Sequence, residues 1–234
     1  MSLKDLLGDG IAAERPKSLA EQSADKLREL ILLEKLPPGL SLNERDLSDL
    51  LGISRTPVRD AIRLLEAEGL VDYSETRRPT VANPSMELLS QWLMVQGALE
   101  GLAGEQACIH ATDAELEKIA AIQAEMVDVA DVSDDYLRFE MDMKFHRAIV
   151  RAAHNPPLVE THKQYNSRLW RARYVSAQRR ANRAQQMAKH QGIVDALLVR
   201  DAKKASDALV AHLRHAIVNI EATRAEDRTP EASD

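Results

Sequence analysis

The stretch of residues 42–71 constrains the fold of this chain more than any other part of its sequence. Three leucines recur at helical spacing and predict a short helix with one apolar face: Leu47, Leu50 and Leu51. Asn43, with Asp46 three residues later, is suited to cap the start of this helix, and Gly52 can adopt the left-handed conformation that ends it. A second helical pattern follows after only a short turn, so the stretch predicts a helix-turn-helix.

The second helix of this pair is predicted to begin after Ser54 and to run to about Glu68, where Gly69 stops it. Pro57 is tolerated in the first turn because its missing N–H would have no partner within the helix. Three apolar residues are expected to face the core: Val58, Ile62 and Leu65. The opposite side carries three arginines at intervals of four residues: Arg55, Arg59 and Arg63.

An arginine stripe opposite an apolar seam suits recognition of double-stranded DNA. Guanidinium groups near the start of the helix can reach phosphates or bind O6 and N7 of guanine, and Thr56 can add a hydroxyl contact. The alternative is a solvated face on an ordinary helical hairpin, but turn, cap and stripe all agree with recognition. Residues 70–74 and 79–82 predict two short strands joined by a turn, which is a wing with Arg77 and Arg78 at its tip.

These residues resemble the GntR family of bacterial winged-helix transcription factors. The resemblance covers residues 18–83 and rests on Pro37-Pro38-Gly39, Leu42, Glu44-Arg45, the run from Leu50 to Arg59, and Glu68-Gly69-Leu70-Val71. It implies that Arg45, Arg55, Thr56 and Arg59 fall on positions that contact DNA, while Arg78 stands where the family's wing tip often has glycine. The complete predicted DNA-binding set is Arg45, Ser54, Arg55, Thr56, Arg59, Arg77 and Arg78.

Composition limits the remaining possibilities. The chain has 234 residues, of which 44% are hydrophobic and only 3% aromatic, a balance that favours two small and mostly helical domains. The formal net charge of −6 argues against nonspecific nucleic-acid binding by the whole chain, so affinity for DNA must come from a local patch. The sequence shows neither a signal peptide nor an apolar run of transmembrane length, and we therefore expect a cytoplasmic protein that does not contact membranes.

From residue 84 onward the pattern predicts long helices alone. They are expected at about residues 85–110, 113–131, 134–153, 156–176, 179–199 and 201–225, with caps at Thr112, Ser133 and Asn155. Short connections between them predict an antiparallel bundle. The fold class is thus mainly α, with an N-terminal winged helix-turn-helix domain followed by a helical bundle. The domain plan is an N-terminal extension at residues 1–17, the winged domain at 18–83, an effector-binding, metal-binding and dimerisation domain at 84–225, and a disordered tail at 226–234.

The bundle contains a second constellation of functional residue types. Asp142 and His146 are four residues apart on one predicted helix and so project from the same face, while His190 and His212 belong to the last two helices. Imidazoles and one carboxylate converging from several helices can bind zinc, nickel or manganese and leave a position open for water or an oxygen-rich ligand. Spacing alone is a weak indication, because most histidines are surface or hydrogen-bonded core residues. That ordinary role is expected for His110, His154, His162 and His215.

This C-terminal half resembles the ligand-binding FCD domain of the FadR-like branch of the GntR family. The resemblance rests on Asp142-x-x-Phe145-His146, Asn155-Pro156, His190-x-x-Ile193-x-x-Ala196 and Ala208-x-x-x-His212-Leu213. It implies a divalent metal held by Asp142, His146, His190 and His212. Gln96 stands four residues before Glu100, where the branch usually has an arginine that helps to hold an acidic effector. Gln96 and Arg151 are therefore the candidate effector-binding residues, and Arg168, Arg171 and Arg173 are generic alternatives for the missing charge.

Two functions from different classes remain. In the first, the chain is a homodimeric transcriptional regulator, with repression as the working expectation, and its bundle binds a metal and a small metabolite such as an organic acid. In the second, it is a metal-dependent hydrolase that carries a DNA-binding head. No carboxylate adjacent in sequence to the expected ligands offers a general base, and no nucleophile motif is evident. We therefore favour a regulator that is not an enzyme.

Overall fold

Two separate folding units make up the part of the chain that the computed structural model describes, namely residues 16–74, 76–128, 134–177 and 183–226. The chain divides between Ala82 and Asn83. Helices dominate both units, and the described residues contain a single two-stranded sheet, so the mainly α prediction is confirmed. Residues 1–15 of the predicted extension at 1–17, and residues 227–234 of the predicted tail at 226–234, lie outside the described ranges. No helix within those ranges combines the length and apolar character that a membrane-spanning segment requires.

The N-terminal unit is a winged helix-turn-helix. Its elements are α1 (Leu19–Leu32), α2 (Glu44–Leu51), α3 (Arg55–Ala67), β1 (Val71–Tyr73) and β2 (Pro79–Val81). The two strands pair antiparallel, with Val71 opposite Val81. Val58, Ile62 and Leu65 of α3 are fully buried against Leu27 and Ile31 of α1, as the apolar spacing of α3 predicts.

The turn between α2 and α3 follows the sequence pattern with two differences. Asn43 caps α2 by accepting a hydrogen bond of 2.9 Å from the Arg45 N–H, and Gly52 ends the helix in the left-handed region with φ of 66°. Ser54 has the extended backbone of an N-cap, but its hydroxyl makes no capping hydrogen bond, so backbone geometry alone starts α3. Leu50 is 72% exposed, contrary to its predicted place on the apolar face, because a helix of eight residues covers little more than Leu47.

The C-terminal unit is a six-helix bundle within the described residues. Its helices are α4 (Met86–His110), α5 (Asp113–Asp128), α6 (Asp135–Ala152), α7 (Pro156–Ala177), α8 (Arg183–Leu198) and α9 (Ala202–Glu226). Thr112 forms a reciprocal capping pair with Glu115, and Asn155 accepts from the N–H of Leu158. The predicted cap Ser133 lies outside the described residues. Asp134 caps α6 instead, because its carboxylate accepts from the second and third N–H groups of the helix.

Glycines allow α4 and α9 to approach closely. Gly97, Gly101 and Gly104 lie on the face of α4 that packs against α9. A Cβ atom on Gly101 would lie 2.8 Å from Cγ2 of Val210 and 3.1 Å from the Ser206 hydroxyl, whereas one on Gly97 would meet Leu213 at an ordinary 3.4 Å. A Cβ atom on Gly104 would lie 2.5 Å from Cδ1 of Leu209, so the absence of side chains at positions 101 and 104 allows these two long helices to pack this closely.

We expect Gly101→Ala to lower the free energy of unfolding of the bundle by about 1–3 kcal/mol, because the added methyl overpacks a stiff valine. Gly97→Ala is the matched control, and it should cost nothing and can gain up to about 1 kcal/mol from the better helix propensity of alanine. Urea denaturation followed by tryptophan fluorescence measures both values. Equal effects of the two substitutions would contradict this packing interpretation.

Candidate nucleic-acid interface and metal centre

Four arginines of the N-terminal unit line one shallow concavity. They are Arg45 of α2, Arg55 at the start of α3, and Arg77 and Arg78 of the wing, and the rest of the lining is Ser41, Leu42, Asn43, Glu44 and Pro79. Each of these four arginines is exposed. Parts of the chain that are more than thirty positions apart thus present their guanidinium groups to the same space. Such a cluster of cationic groups suits contact with a phosphate backbone.

Arg59 is held from the side by α2. Its Nε and Nη2 donate hydrogen bonds of 3.0 and 2.8 Å to the two carboxylate oxygens of Glu44, and the guanidinium lowers the pKa of that carboxyl. Thr56 and Ser54 are exposed next to this pair at the N-terminal end of α3. Glu44 was absent from the predicted DNA-binding set, yet it fixes the direction in which Arg59 points.

Four residues from three helices of the bundle converge as the sequence predicts. Asp142 and His146 come from α6, His190 from α8 and His212 from α9, and one potential ligand atom from each lies within 4.8 Å of all the others. Nε2 of His190 is 3.3 Å from both Oδ1 of Asp142 and Nε2 of His212, and Nε2 of His146 is 3.8 Å from the same carboxylate oxygen. Three of the four residues are buried, and His212 is partly exposed.

This geometry fits a divalent transition metal. Ligand atoms at the usual 2.0–2.2 Å from a four-coordinate ion lie roughly 3.4 Å apart. Two of the pairs here are 3.3 Å apart, and all four atoms lie within 4.8 Å of one another. Nε2 of His146 is buried without a hydrogen-bond partner among the described residues. Desolvation lowers the pKa of His190 to about 4, and desolvation together with His190 holds the pKa of His212 well below its usual range. These two imidazoles are therefore neutral at pH 7 and have the lone pairs that metal binding needs.

A buried carboxylate on α4 supports the cluster from behind. Oε2 of Glu100 lies 2.6 Å from Nδ1 of His146, a placement that favours the proton on Nδ1 and leaves Nε2 free to face the other ligands. Oε1 of Glu100 accepts from Nη1 of Arg173 at 3.0 Å and from Gln96 at 3.3 Å, and lies 3.2 Å from Nε2 of His162. Burial opposes ionisation of Glu100, but His146 and then Arg173 outweigh it and hold its pKa well below the usual range.

Glu100 was not among the predicted site residues, and Arg173 was predicted only as one of several candidate arginines. An acidic residue among the small and apolar residues of α4 was the available signal for Glu100. Gln186 is a further omission, since its amide donates a 3.2 Å hydrogen bond to Oδ1 of Asp142. His162 has the ordinary role expected for it, as a buried histidine beside Glu100.

A cavity opens beside the four-residue cluster and shares Asp142 and His212 with it. The other residues that line the cavity are Arg173, Ser176, Ala177, Gln186, Lys189, Leu213, His215, Ala216 and Asn219. Neither candidate effector residue belongs to this lining. Gln96 is fully buried behind it against Glu100, and Arg151 is exposed in the last turn of α6. Arg151 follows His146 by five positions, which at 3.6 residues per turn places it on another face of the helix. Arg173 and Lys189 supply the cationic charge of the cavity instead.

Comparisons with known proteins agree with both units. The family model for bacterial regulatory proteins of the gntR family matches residues 19–81, and the FCD domain model matches residues 91–215. A probable D-xylose utilization operon transcriptional repressor of Paenarthrobacter nicotinovorans is 30% identical over 201 residues, which cover 81% of this chain and 85% of that protein. The Uxu operon transcriptional regulator of Escherichia coli K12 is 27% identical over 225 residues, 87% of this chain and 86% of the relative. The solved structure of E. coli McbR/YncC shares the fold, with a TM-score of 0.76, 20% identity and coverage of 89% of this chain and 100% of that one.

Proposed function

Because the chain belongs to the GntR family of bacterial regulatory proteins and carries an FCD domain, we propose that it is a transcriptional regulator controlled by a ligand in its helical bundle. The regulator binds operator DNA with its winged unit, and its affinity responds to a small organic acid together with a divalent metal. One observation carries the bundle's part in this proposal. Asp142, His146, His190 and His212 converge at the edge of an open cavity that also contains Arg173.

The chemistry of the cavity supports an acidic ligand. Three nitrogen donors and one oxygen donor suit zinc, nickel or manganese, and a bound ion with an open position would coordinate a carboxylate. Arg173 lines the same cavity and is 5% exposed, so its guanidinium can form a charge-assisted hydrogen bond that is shielded from water. The relatives named for operons of D-xylose utilization and of Uxu are consistent with control by a metabolite.

The outer face of α4 supports a homodimer. Leu88, Val95, Leu102 and Ile109 are exposed at intervals of seven residues along this helix. A repeat of seven is the pattern by which one helix packs along another, and an exposed apolar stripe along most of a 25-residue helix indicates a partner. A second copy of the chain is the expected partner, because a symmetric dimer presents two recognition helices to the two halves of a pseudo-palindromic operator.

The same helix provides a physical basis for regulation. A ligand changes DNA affinity only when it binds the competent and incompetent dimer arrangements unequally. Glu100 and Gln96 of α4 contact Arg173 or each other next to the cavity, and the exposed apolar stripe lies on another face of α4. A ligand that draws Arg173 away from Glu100 would therefore act on the helix that forms the proposed dimer interface.

The hydrolase alternative has less support. The two carboxylates next to the expected metal, Asp142 and Glu100, already contact imidazole and guanidinium groups and so are poorly placed to accept a proton from water. The relatives described above are named as regulators. We propose a non-enzymatic regulator that works in the cytoplasm, where its operator DNA is found.

Alanine at either Arg55 or Arg59 is expected to weaken operator binding about tenfold or more, because each contact to base or phosphate contributes about 1–3 kcal/mol. The probe is a duplex that the wild-type chain selects from a random pool, and a gel-shift titration measures the dissociation constant. The salt dependence separates the two kinds of contact, since loss of a phosphate contact reduces its slope by about one.

Arg214→Ala is the matched control, because Arg214 is an exposed arginine of the bundle. It should leave operator binding unchanged. Sedimentation and circular dichroism establish that the variants at Arg55 and Arg59 keep the mass and helicity of the wild type. If both variants then bind the selected duplex as tightly as the wild type does, the assignment of α3 to DNA recognition fails.

A further inference from the structure

The cavity beside the four-residue cluster is also lined by a second group of basic side chains. Lys189 of α8 and His215 of α9 line it, and Asp142 is the one acidic residue in the described lining. Nε2 of His215 has no hydrogen-bond partner among the described residues although the atom is buried. A polar atom in that condition indicates that a hydrogen-bonding ligand belongs next to it.

The helix geometry places this second group at a defined distance from the metal ligands. His215 follows His212 by three residues on α9, so the two imidazoles share a face and are separated by about 4.5 Å along the axis. Lys189 precedes His190 and follows Gln186 by three residues on α8, and both Lys189 and Gln186 line the cavity. His215 is therefore about one helical turn from His212, a separation that a short carbon chain can span, and Lys189 is the sequence neighbour of His190 and lines the same cavity.

The balance of charge leads to the same conclusion. The carboxylates of Asp142 and Glu100 offset only part of the positive charge of a divalent ion, Arg173 and Lys189, and the surplus is two positive charges. A monocarboxylate would leave half of that surplus unmatched in a partly buried cavity, whereas a dianion would match it.

We infer that the effector is a small organic dianion, which places one carboxylate at the metal and Arg173 and the other at Lys189 and His215. This inference rests on the proposed function, because it requires the bundle to be an effector site. Lys189 and His215 would then select ligands that carry a second acidic group.

Isothermal titration of the full-length, zinc-loaded chain tests the inference with acids of matched length. Succinate and butyrate are one pair, and glutarate and pentanoate are the other. In at least one pair the dicarboxylate should bind tenfold or more tightly than its monocarboxylate. Lys189→Met keeps most of the side-chain volume and should reduce that ratio to less than threefold. Lys163→Met, at an exposed lysine outside the cavity lining, should leave the ratio unchanged.

The outcomes separate this inference from the proposed function. Equal binding of both members of each pair, or an unchanged ratio in Lys189→Met, overturns the dianion inference but leaves an acid-binding regulator. Failure of all four acids to bind overturns the dianion inference and the effector part of the proposed function together. Zinc content and helicity, measured on each variant, establish that the comparison is made between folded and loaded proteins.

Discussion

Replacing Glu100 with glutamine is expected to lower the free energy of unfolding of the helical bundle by about 3–5 kcal/mol. Glu100 and His146 are each 1% exposed and Arg173 is 5% exposed, so removal of the carboxylate charge leaves a buried guanidinium without its closest anion. The amide keeps the volume of the carboxylate, and the loss therefore reports the missing charge and not a cavity. Few single substitutions in a bundle of this size have a larger effect.

Tryptophan fluorescence during urea denaturation measures this effect in the bundle alone, because both tryptophans of the chain, Trp92 and Trp170, belong to the C-terminal unit. Glu105→Gln is the matched control, since Glu105 is exposed on the same helix and should change stability by less than about 0.5 kcal/mol. A double-mutant cycle with Arg173→Met isolates the pairwise energy. A loss below about 1 kcal/mol for Glu100→Gln would show that the network contributes little to stability.

Local sequence patterns predict the parts of this molecule that depend on neighbouring residues. The recognition helix follows from the spacing of Val58, Ile62 and Leu65, and the convergence of His146 with Asp142 follows from their separation by one helical turn. The family resemblance adds the two later histidines. Those histidines lie on other helices, and a bundle with short connections places the same faces of its helices next to one another in every member of a family.

The remaining features depend on contacts between distant parts of the chain. Glu100 and Arg173 are separated by 73 residues, and an ion pair between two helices leaves no periodic pattern within either one. Arg151 and Arg173 have the same chemistry in the sequence, and only the packing of α6 and α7 shows that Arg173 lines the cavity. Leu50 is exposed because the elements packed against α2 cover only a small part of that short helix. Hydrophobic spacing within the helix does not reveal how much of it is covered.

The expected acid response of the four-residue cluster follows from His190. Burial lowers its pKa to about 4 in the folded chain, whereas an unfolded chain has a histidine pKa of about 6.5. The free energy of unfolding should therefore be highest above about pH 6.5 and should fall as the pH decreases toward about 4, because in that range the unfolded chain binds a proton that the folded chain does not. In the folded chain, protons compete with metal for the lone pair of His190 only near its own pKa, so metal affinity should decline as the pH approaches about 4.

Zinc, nickel or manganese is expected to bind the purified chain at about one equivalent and to raise the melting temperature of the bundle. Binding at a thousand times the dissociation constant stabilises the folded state by about 4.1 kcal/mol, provided that the unfolded chain does not bind the metal. His146→Ala and His190→Ala each remove one of the four converging ligand atoms, and both variants should lose the bound metal and the rise in melting temperature. His110→Ala is the matched control, because His110 is exposed at the end of α4 and is not part of the cluster.

Elemental analysis of protein prepared without chelator or metal-affinity purification decides whether the chain binds a metal. Less than about a tenth of an equivalent, with no uptake on titration, would make these four side chains an ordinary polar core stabilised by Glu100.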